Sequence, residues 1–101
     1  MMSATKNSSG EKTIFITKNL AIEEAGDLRE ELYKLINDGT TNLSLNFRDC
    51  NFIDSTGLGV MVAVYKRCVE LGGSMKLYSL KPQVMKLFNL TRLDKVFEIY
   101  Q

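Results

Sequence analysis

From Asn42 to Phe47 apolar and polar residues alternate without a break, Leu43, Leu45 and Phe47 against Asn42, Ser44 and Asn46. A period of two sends successive side chains to opposite faces of an extended chain, so this segment predicts a half-buried strand with one apolar face. On both sides of it the period changes. Between Ile22 and Asn37, Ala25, Leu28, Leu32, Leu35 and Ile36 recur at helical spacing, with Glu24, Asp27, Glu30, Glu31 and Lys34 between them and Asp38-Gly39 as the stop. A second helix is predicted from about Ser55 to Leu71, with Leu58, Val62, Tyr65 and Val69 as its buried stripe and Gly72-Gly73 closing it.

The remaining segments complete an alternating pattern. Lys12 to Thr17 and Ser74 to Tyr78 read as strands. Pro82 suits the first turn of a third helix with Val84, Leu87 and Phe88 inward, and Val96 to Tyr100 reads as a short terminal strand. Met2 to Lys6 can pair with Lys12 to Thr17 as a hairpin across Ser8-Ser9-Gly10. Strands that alternate with helices in segments this short form βαβ units, whose right-handed crossovers make the central strands parallel. The expected class is therefore α/β: one domain, a mixed but mostly parallel sheet of about four to five strands, and helices packed mainly on one face. Residues 1–10 form either a mobile segment or the first strand, and residues 11–101 the domain proper.

Several function classes lose their chemistry at this point. Thirteen Lys and Arg against twelve Asp and Glu leave a formal charge of +1, so no global field attracts nucleic acid or an anionic membrane. The apolar run from Leu58 to Tyr65, interrupted by Gly59, is far short of the roughly 20 residues of a membrane span. The polar stretch from Met1 to Gly10 lacks the apolar region of a signal peptide, which places the expected location in the cytoplasm. Cys50 and Cys68 match neither a redox pair nor a zinc site and read as reduced thiols, Cys68 within the core. Histidine is absent, which removes the commonest general base and a common metal ligand. No catalytic residue, metal site or cofactor is expected, and a core of this size suits a module better than a multi-step enzyme.

Chemistry concentrates in Phe52-Ile53-Asp54-Ser55-Thr56-Gly57-Leu58-Gly59, where small polar residues stand at the turn from loop to helix. A helix start exposes N–H groups and the positive end of the dipole, so Asp54 or Ser55 can act as N-cap, and Gly57 and Gly59 allow close approach to the sheet or to a partner. By residue chemistry alone this is a capped helix. A phosphate cradle in Thr56-Gly57-Leu58-Gly59 would lack the Lys of a P-loop and the third glycine of a dinucleotide fingerprint.

The run from Phe52 to Gly59 closely resembles the signature of STAS-domain anti-sigma factor antagonists. Tyr65-Lys66-Arg67, Gly72-Gly73-Ser74-Met75-Lys76-Leu77 and Val84-Met85-Lys86-Leu87-Phe88 resemble the same family's second helix, following strand and third helix, so the likeness spans about Ile14 to Tyr100. The resemblance implies a single STAS domain and a partner-switching cycle. An anti-sigma factor with serine/threonine kinase activity would be captured by the unphosphorylated chain, freeing a sigma factor. Phosphorylation of Ser55 would release that kinase, and a metal-dependent serine phosphatase would reset the switch. Asp54, Ser55, Thr56, Gly57, Leu58 and Gly59 would form the partner-binding surface, with Thr56 as the nearest competing hydroxyl and Asp54 either capping the helix or orienting the kinase.

Two positions depart from the family. Lys18-Asn19-Leu20-Ala21 stands where many members carry a Gly-Glu-Leu-Asp-like segment, so an Asp-like carboxylate near the serine is missing and a divergent partner is allowed. Arg92 replaces a usual glycine, which alters a turn. The alternatives are a STAS scaffold or adaptor that binds without a phosphorylation cycle and a small nucleotide-binding domain. Glu23, Glu24, Glu30 and Glu31 read either as a solvated helix face or as a contact for a basic partner. Met61 and Val64 read as core or as partner-facing.

Overall fold

A computed structural model of the chain describes residues 2–6, 12–17 and 19–101. Strands β1 (Met2–Lys6), β2 (Lys12–Ile16), β3 (Asn42–Asn46), β4 (Ser74–Tyr78) and β5 (Glu98–Tyr100) form one sheet in the order β1-β2-β3-β4-β5. β1 pairs antiparallel with β2, and the other three pairings are parallel. Helices α1 (Ile22–Asn37), α2 (Ser55–Glu70) and α3 (Pro82–Leu90) connect the parallel strands, and one turn of 3-10 helix at Leu93–Lys95 precedes β5. The mixed, mostly parallel sheet and its hairpin edge agree with the sequence pattern. The Ser8-Ser9-Gly10 turn and Lys18 lie outside the described residues.

Each parallel strand takes its place beside the last in the same direction, so three right-handed crossovers set all three helices on one face. Beneath them Ile14, Leu45 and Leu77 stand in register across β2, β3 and β4. With Leu28 and Leu32 of α1, Met61 and Val64 of α2, and Val84 and Phe88 of α3, they form a core in which no side chain is more than 1% exposed. Met61 and Val64 are therefore core residues. The opposite face of the sheet carries Thr13, Ser44, Lys76 and Glu98 in one row and Phe15, Asn46, Tyr78 and Tyr100 in the next. Ser44, expected toward solvent, is only 5% exposed, because it lies on the central strand between Thr13 and Lys76. In the second row the Tyr78 and Tyr100 rings stack at 5.0 Å, and the Arg48 guanidinium sits 4.7 Å over Phe15.

The buried stripe of α2 differs from the pattern-based expectation. Its buried residues are Gly57, Leu58, Val60, Met61, Val64 and Cys68, whereas Val62 and Tyr65 are partly buried and Val69 is 49% exposed. Almost every residue from Leu58 to Tyr65 is apolar, so periodicity leaves the rotation of the helix about its axis undetermined. At the carboxyl end of the chain Val96 is exposed and the strand begins only at Glu98. Phe97 turns inward instead, meeting the rings of Tyr65 and Phe88 edge-on at 5.1 and 5.7 Å. Among the described residues no helix is long and apolar enough to cross a membrane.

Arg92 adopts φ 62°, the left-handed region, at the turn after α3. For a residue with a Cβ this conformation costs about 1–2 kcal/mol, whereas glycine adopts it freely but gains roughly 0.4–1 kcal/mol of unfolded-state entropy. Arg92→Gly should therefore stabilise the fold by about 0.5 kcal/mol, raising the thermal midpoint by roughly 2–4 °C, and Arg92→Val should lower it. Calorimetry of the two variants checks the sign.

Cys50 and Cys68 are free and buried. Burial pushes the Cys68 thiol up from 9.0 to about 11, and burial likewise raises Cys50, against opposing backbone hydrogen bonds with Phe52 and Leu20 and the charge of Lys81. A buried thiol keeps its proton where the unfolded chain has lost it, so the unfolded state binds fewer protons above pH 9. Denaturant titrations should show stability falling between about pH 9 and 11, by at most about 1.4 kcal/mol per pH unit for one thiol. Cys68→Ala should flatten that slope while lowering the stability below pH 9.

Candidate functional site

The site grows from the end of β3. The chain leaves the sheet, crosses Phe47 to Asn51 and enters α2 through Asp54, the N-cap, at φ −105° and ψ −175°. The Asp54 carboxylate accepts the Gly57 N–H at 2.9 Å, and its carbonyl accepts the Leu58 N–H at 2.9 Å. The first satisfies one of the donors left over at a helix start, and the second is the first bond of the helix ladder. Ser55 and Thr56 occupy the first turn behind the cap with both side chains exposed, Gly57 and Leu58 are buried, and Gly59 is exposed. The first helical turn thus presents two hydroxyls to solvent at the positive end of the dipole and contributes no acidic residue of its own.

A second loop straps this helix start in place. Leu20, between β2 and α1, donates its N–H to the Phe52 carbonyl at 2.9 Å and accepts the Asp54 N–H at 3.1 Å, forming an isolated parallel bridge with Ile53. Leu20 is fully buried. Gly57 lies so close to it that a Cβ there would stand 2.4 Å from the Leu20 carbonyl oxygen and 2.7 Å from Ile53 Cγ1. A Cβ on Gly59 would meet nothing within 4 Å. Of the two glycines expected to permit close approach, Gly57 does so toward the fold and Gly59 faces open space.

Polar side chains extend the strap to a third loop. Asn51 donates its backbone N–H to Asn19 Oδ1 at 2.9 Å, and its own Oδ1 accepts from Lys81 Nζ at 2.6 Å. Beside them an open groove of about 330 Å³ runs between the β3–α2 loop and α3, lined by Phe52, Ile53, Leu87 and Leu90 with Asn51, Gln83 and Lys86. Phe52 and Leu90 are 52% and 71% exposed, a large apolar surface for a loop and a helix end. Lys86 supplies a charge at its rim. Leu87, expected to point inward, is only partly buried because its side chain forms a wall of this groove. Glu23 and Glu30 are exposed on α1, and Glu24 and Glu31 are half-buried. Among the described residues no group of three or more His, Cys, Asp or Glu is arranged to hold a metal.

Residues 3–101 match the model of the STAS domain. This chain belongs to the STAS domain family. It is 33% identical over 94 residues to the anti-sigma-B factor antagonist of Bacillus subtilis, covering 93% of this chain and 85% of that one. Its fold superposes on a Thermotoga maritima protein with a TM-score of 0.90 at 28% identity, over 100% of this chain and 86% of the other. It also shares the fold of the Bacillus anti-sigma factor antagonist SpoIIAA. The unphosphorylated form matches with a TM-score of 0.76 at 16% identity and the phosphorylated form with 0.77 at 19%. The match covers all of this chain and 87% and 92% of those two.

Residue pattern located the helix start of this STAS domain but not the groove or the three-loop network. Phe52 opens the signature run, but neither it nor Leu90 signals its exposure, since single apolar residues are common on surfaces. Lys81 does carry one. It precedes Pro82 as the N-cap of α3, where a cation opposes the helix dipole and no side-chain cap bond forms.

The two glycines give opposite predictions. Gly57→Ala must displace the Leu20 backbone at a cost of about 1–3 kcal/mol, against roughly 1 kcal/mol by which alanine favours a helix, and should destabilise by up to about 2 kcal/mol. Gly59→Ala meets no obstacle and should stabilise by up to about 1 kcal/mol. Urea unfolding of both variants measures the two signs.

Proposed function

We propose that this STAS domain is an anti-sigma factor antagonist that binds an anti-sigma factor serine kinase when unphosphorylated and is released on phosphorylation of Ser55, freeing a sigma factor. The observation that carries the reading is the placement of Ser55, an exposed hydroxyl one residue past a capped helix start and two residues along the chain from Ile53, which lines an exposed apolar groove. Support comes from a Bacillus subtilis relative named an anti-sigma-B factor antagonist and from the occurrence of SpoIIAA in phosphorylated and unphosphorylated forms. The partner surface comprises Asp54 to Gly59 and extends onto Phe52 and Leu90. The chain is a substrate and binding module, not a catalyst.

In the switching step the γ-phosphoryl group of ATP passes to Ser55 Oγ: its bond to the β-phosphate oxygen breaks, ADP leaves, a bond to Oγ forms, and the hydroxyl proton passes to a base of the kinase. A metal-dependent serine phosphatase reverses the modification by hydrolysis. Phosphate brings about −1.5 to −2 charges, which the helix start favours by roughly 0.3–1 kcal/mol, so the domain stays folded. A partner packed over that turn must desolvate the phosphate. One carboxylate about 4 Å away adds about 4 kcal/mol of repulsion per unit of phosphate charge at an effective dielectric of 20, against about 1.4 kcal/mol per tenfold of affinity.

A scaffold that binds without a phosphorylation cycle is the second reading, favoured by Ala21. This residue is the N-cap of α1 and makes no side-chain cap bond where the family's Asp-like carboxylate would stand. Incubation with the captured kinase and ATP, followed by mass spectrometry, separates the two. Phosphate should map to Ser55, persist in Thr56→Ala and vanish in Ser55→Ala, which still binds the kinase. Phosphate found solely at another residue overturns the switch, and unchanged affinity of Ser55→Asp supports the scaffold.

A further inference from the structure

The β3–α2 loop is tied on both sides. β2, β3 and β4 are parallel neighbours, so the loops at their carboxyl ends emerge side by side, and one residue, Asn51, joins all three. Its N–H goes to Asn19 of the β2–α1 loop and its Oδ1 to Lys81 of the β4–α3 loop, across sequence separations of 32 and 30 residues. The next residue, Phe52, is held through its carbonyl by the Leu20 N–H and by the Cys50 thiol at 3.3 Å. Three residues later stands Ser55.

Lys81 breaks two local rules to reach this place. It is the N-cap of α3, a position that favours a short acceptor side chain and disfavours a cation, and it makes no side-chain cap bond there. The chain arrives through Ser79, held at φ 59° in the left-handed region, and through Leu80, which is 5% exposed and anchors the turn in the core. Local rules broken together in one loop, with no gain to the helix they precede, mark a residue kept for a contact elsewhere. The contact made is the one with Asn51.

We infer that Asn19, Asn51 and Lys81 form a positioning relay that holds the β3–α2 loop in the conformation in which a kinase can engage Ser55. The inference rests on the proposed switch at Ser55 and assigns to it three positioning residues, none of which touches the hydroxyl itself. With the relay broken, the loop populates other conformations and the competent fraction falls. A reduced competent fraction raises the apparent dissociation constant in proportion and leaves the rate at saturation unchanged.

The test uses the full chain, the kinase captured by it, and the variants Lys81→Met, Lys81→Arg and Asn51→Ala. Lys81→Met keeps the apolar stem and removes the ammonium. It should raise the KM for Ser55 phosphorylation roughly three- to tenfold with kcat within about twofold, as expected for loss of a charge-assisted hydrogen bond at a solvated site. Asn51→Ala should do the same, and Lys81→Arg should restore KM. Backbone 15N order parameters from Asn51 to Ser55 should fall in Lys81→Met from about 0.85 toward 0.6, with the rest of the domain unchanged. Unchanged KM and order parameters in Lys81→Met, while Ser55 is phosphorylated normally, overturn the relay and leave the switch standing. A wild-type chain without phosphate at Ser55 removes the switch, and the order parameters then decide the relay alone. A general loss of stability that Lys81→Arg does not restore also overturns the relay, since it marks a purely structural residue.

Discussion

Leu20 holds the helix that carries the serine. Its N–H reaches the Phe52 carbonyl, its carbonyl receives the Asp54 N–H, and its backbone lies against Gly57 with no room for a Cβ. These contacts join the loops of two adjacent parallel strands and set both the position and the rotation of α2. With Gly57 against Leu20, the positions that follow at helical spacing, Met61, Val64 and Cys68, turn into the core, while Ser55, Thr56 and Gly59 are left outside. Exposure of the candidate phosphosite is therefore a consequence of close backbone packing on the opposite side of the same helical turn.

Much of this was legible in the residues. The bounds of α1 and β4 follow from uninterrupted periodicity and from glycines at their ends, and strict alternation in β3 marks Leu43, Leu45 and Phe47, all fully buried. The cap was legible only as Asp54 or Ser55, two short acceptors at a helix start, and the bond from the Gly57 N–H decides for Asp54. The rotation of α2 was not, because a helix apolar on nearly every side is oriented by what packs against it, and the deciding contact comes from Leu20, 37 residues away in sequence. The same limit applies to the groove, which exists only where Phe52 and α3 come together. Arg92 is a partial case. Its place in a family position usually filled by glycine pointed to an altered turn, and the φ of 62° shows a residue with a Cβ held in the left-handed conformation that favours glycine.

The family's missing carboxylate acquires a structural setting. Of the segment Lys18-Asn19-Leu20-Ala21, Leu20 straps the helix start through its backbone, which any residue but proline could supply, and Asn19 binds the neighbouring loop through its side chain. Ala21 caps α1 without a side-chain acceptor. Relative to an acidic segment, this edge of the domain carries less negative charge near Ser55, so a kinase that recognises it must draw on other contacts. The exposed Phe52 and Leu90 and the rim charge of Lys86, in the groove formed by the loop that leads to Ser55 and by α3, offer them.

In the proposed switch, phosphate alters the interface and leaves the fold alone, because a helix amino terminus favours an anion while a partner packed upon it must strip the anion of water. The most direct test is to measure the affinity of the captured kinase for the domain before and after stoichiometric phosphorylation of Ser55, together with the thermal midpoint of each form. The proposed switch requires an affinity loss of at least about a hundredfold, or roughly 2.7 kcal/mol, with the midpoint unchanged within about 2 °C. Equal affinity of the two forms, or an affinity loss accompanied by unfolding of the phosphorylated domain, would contradict it.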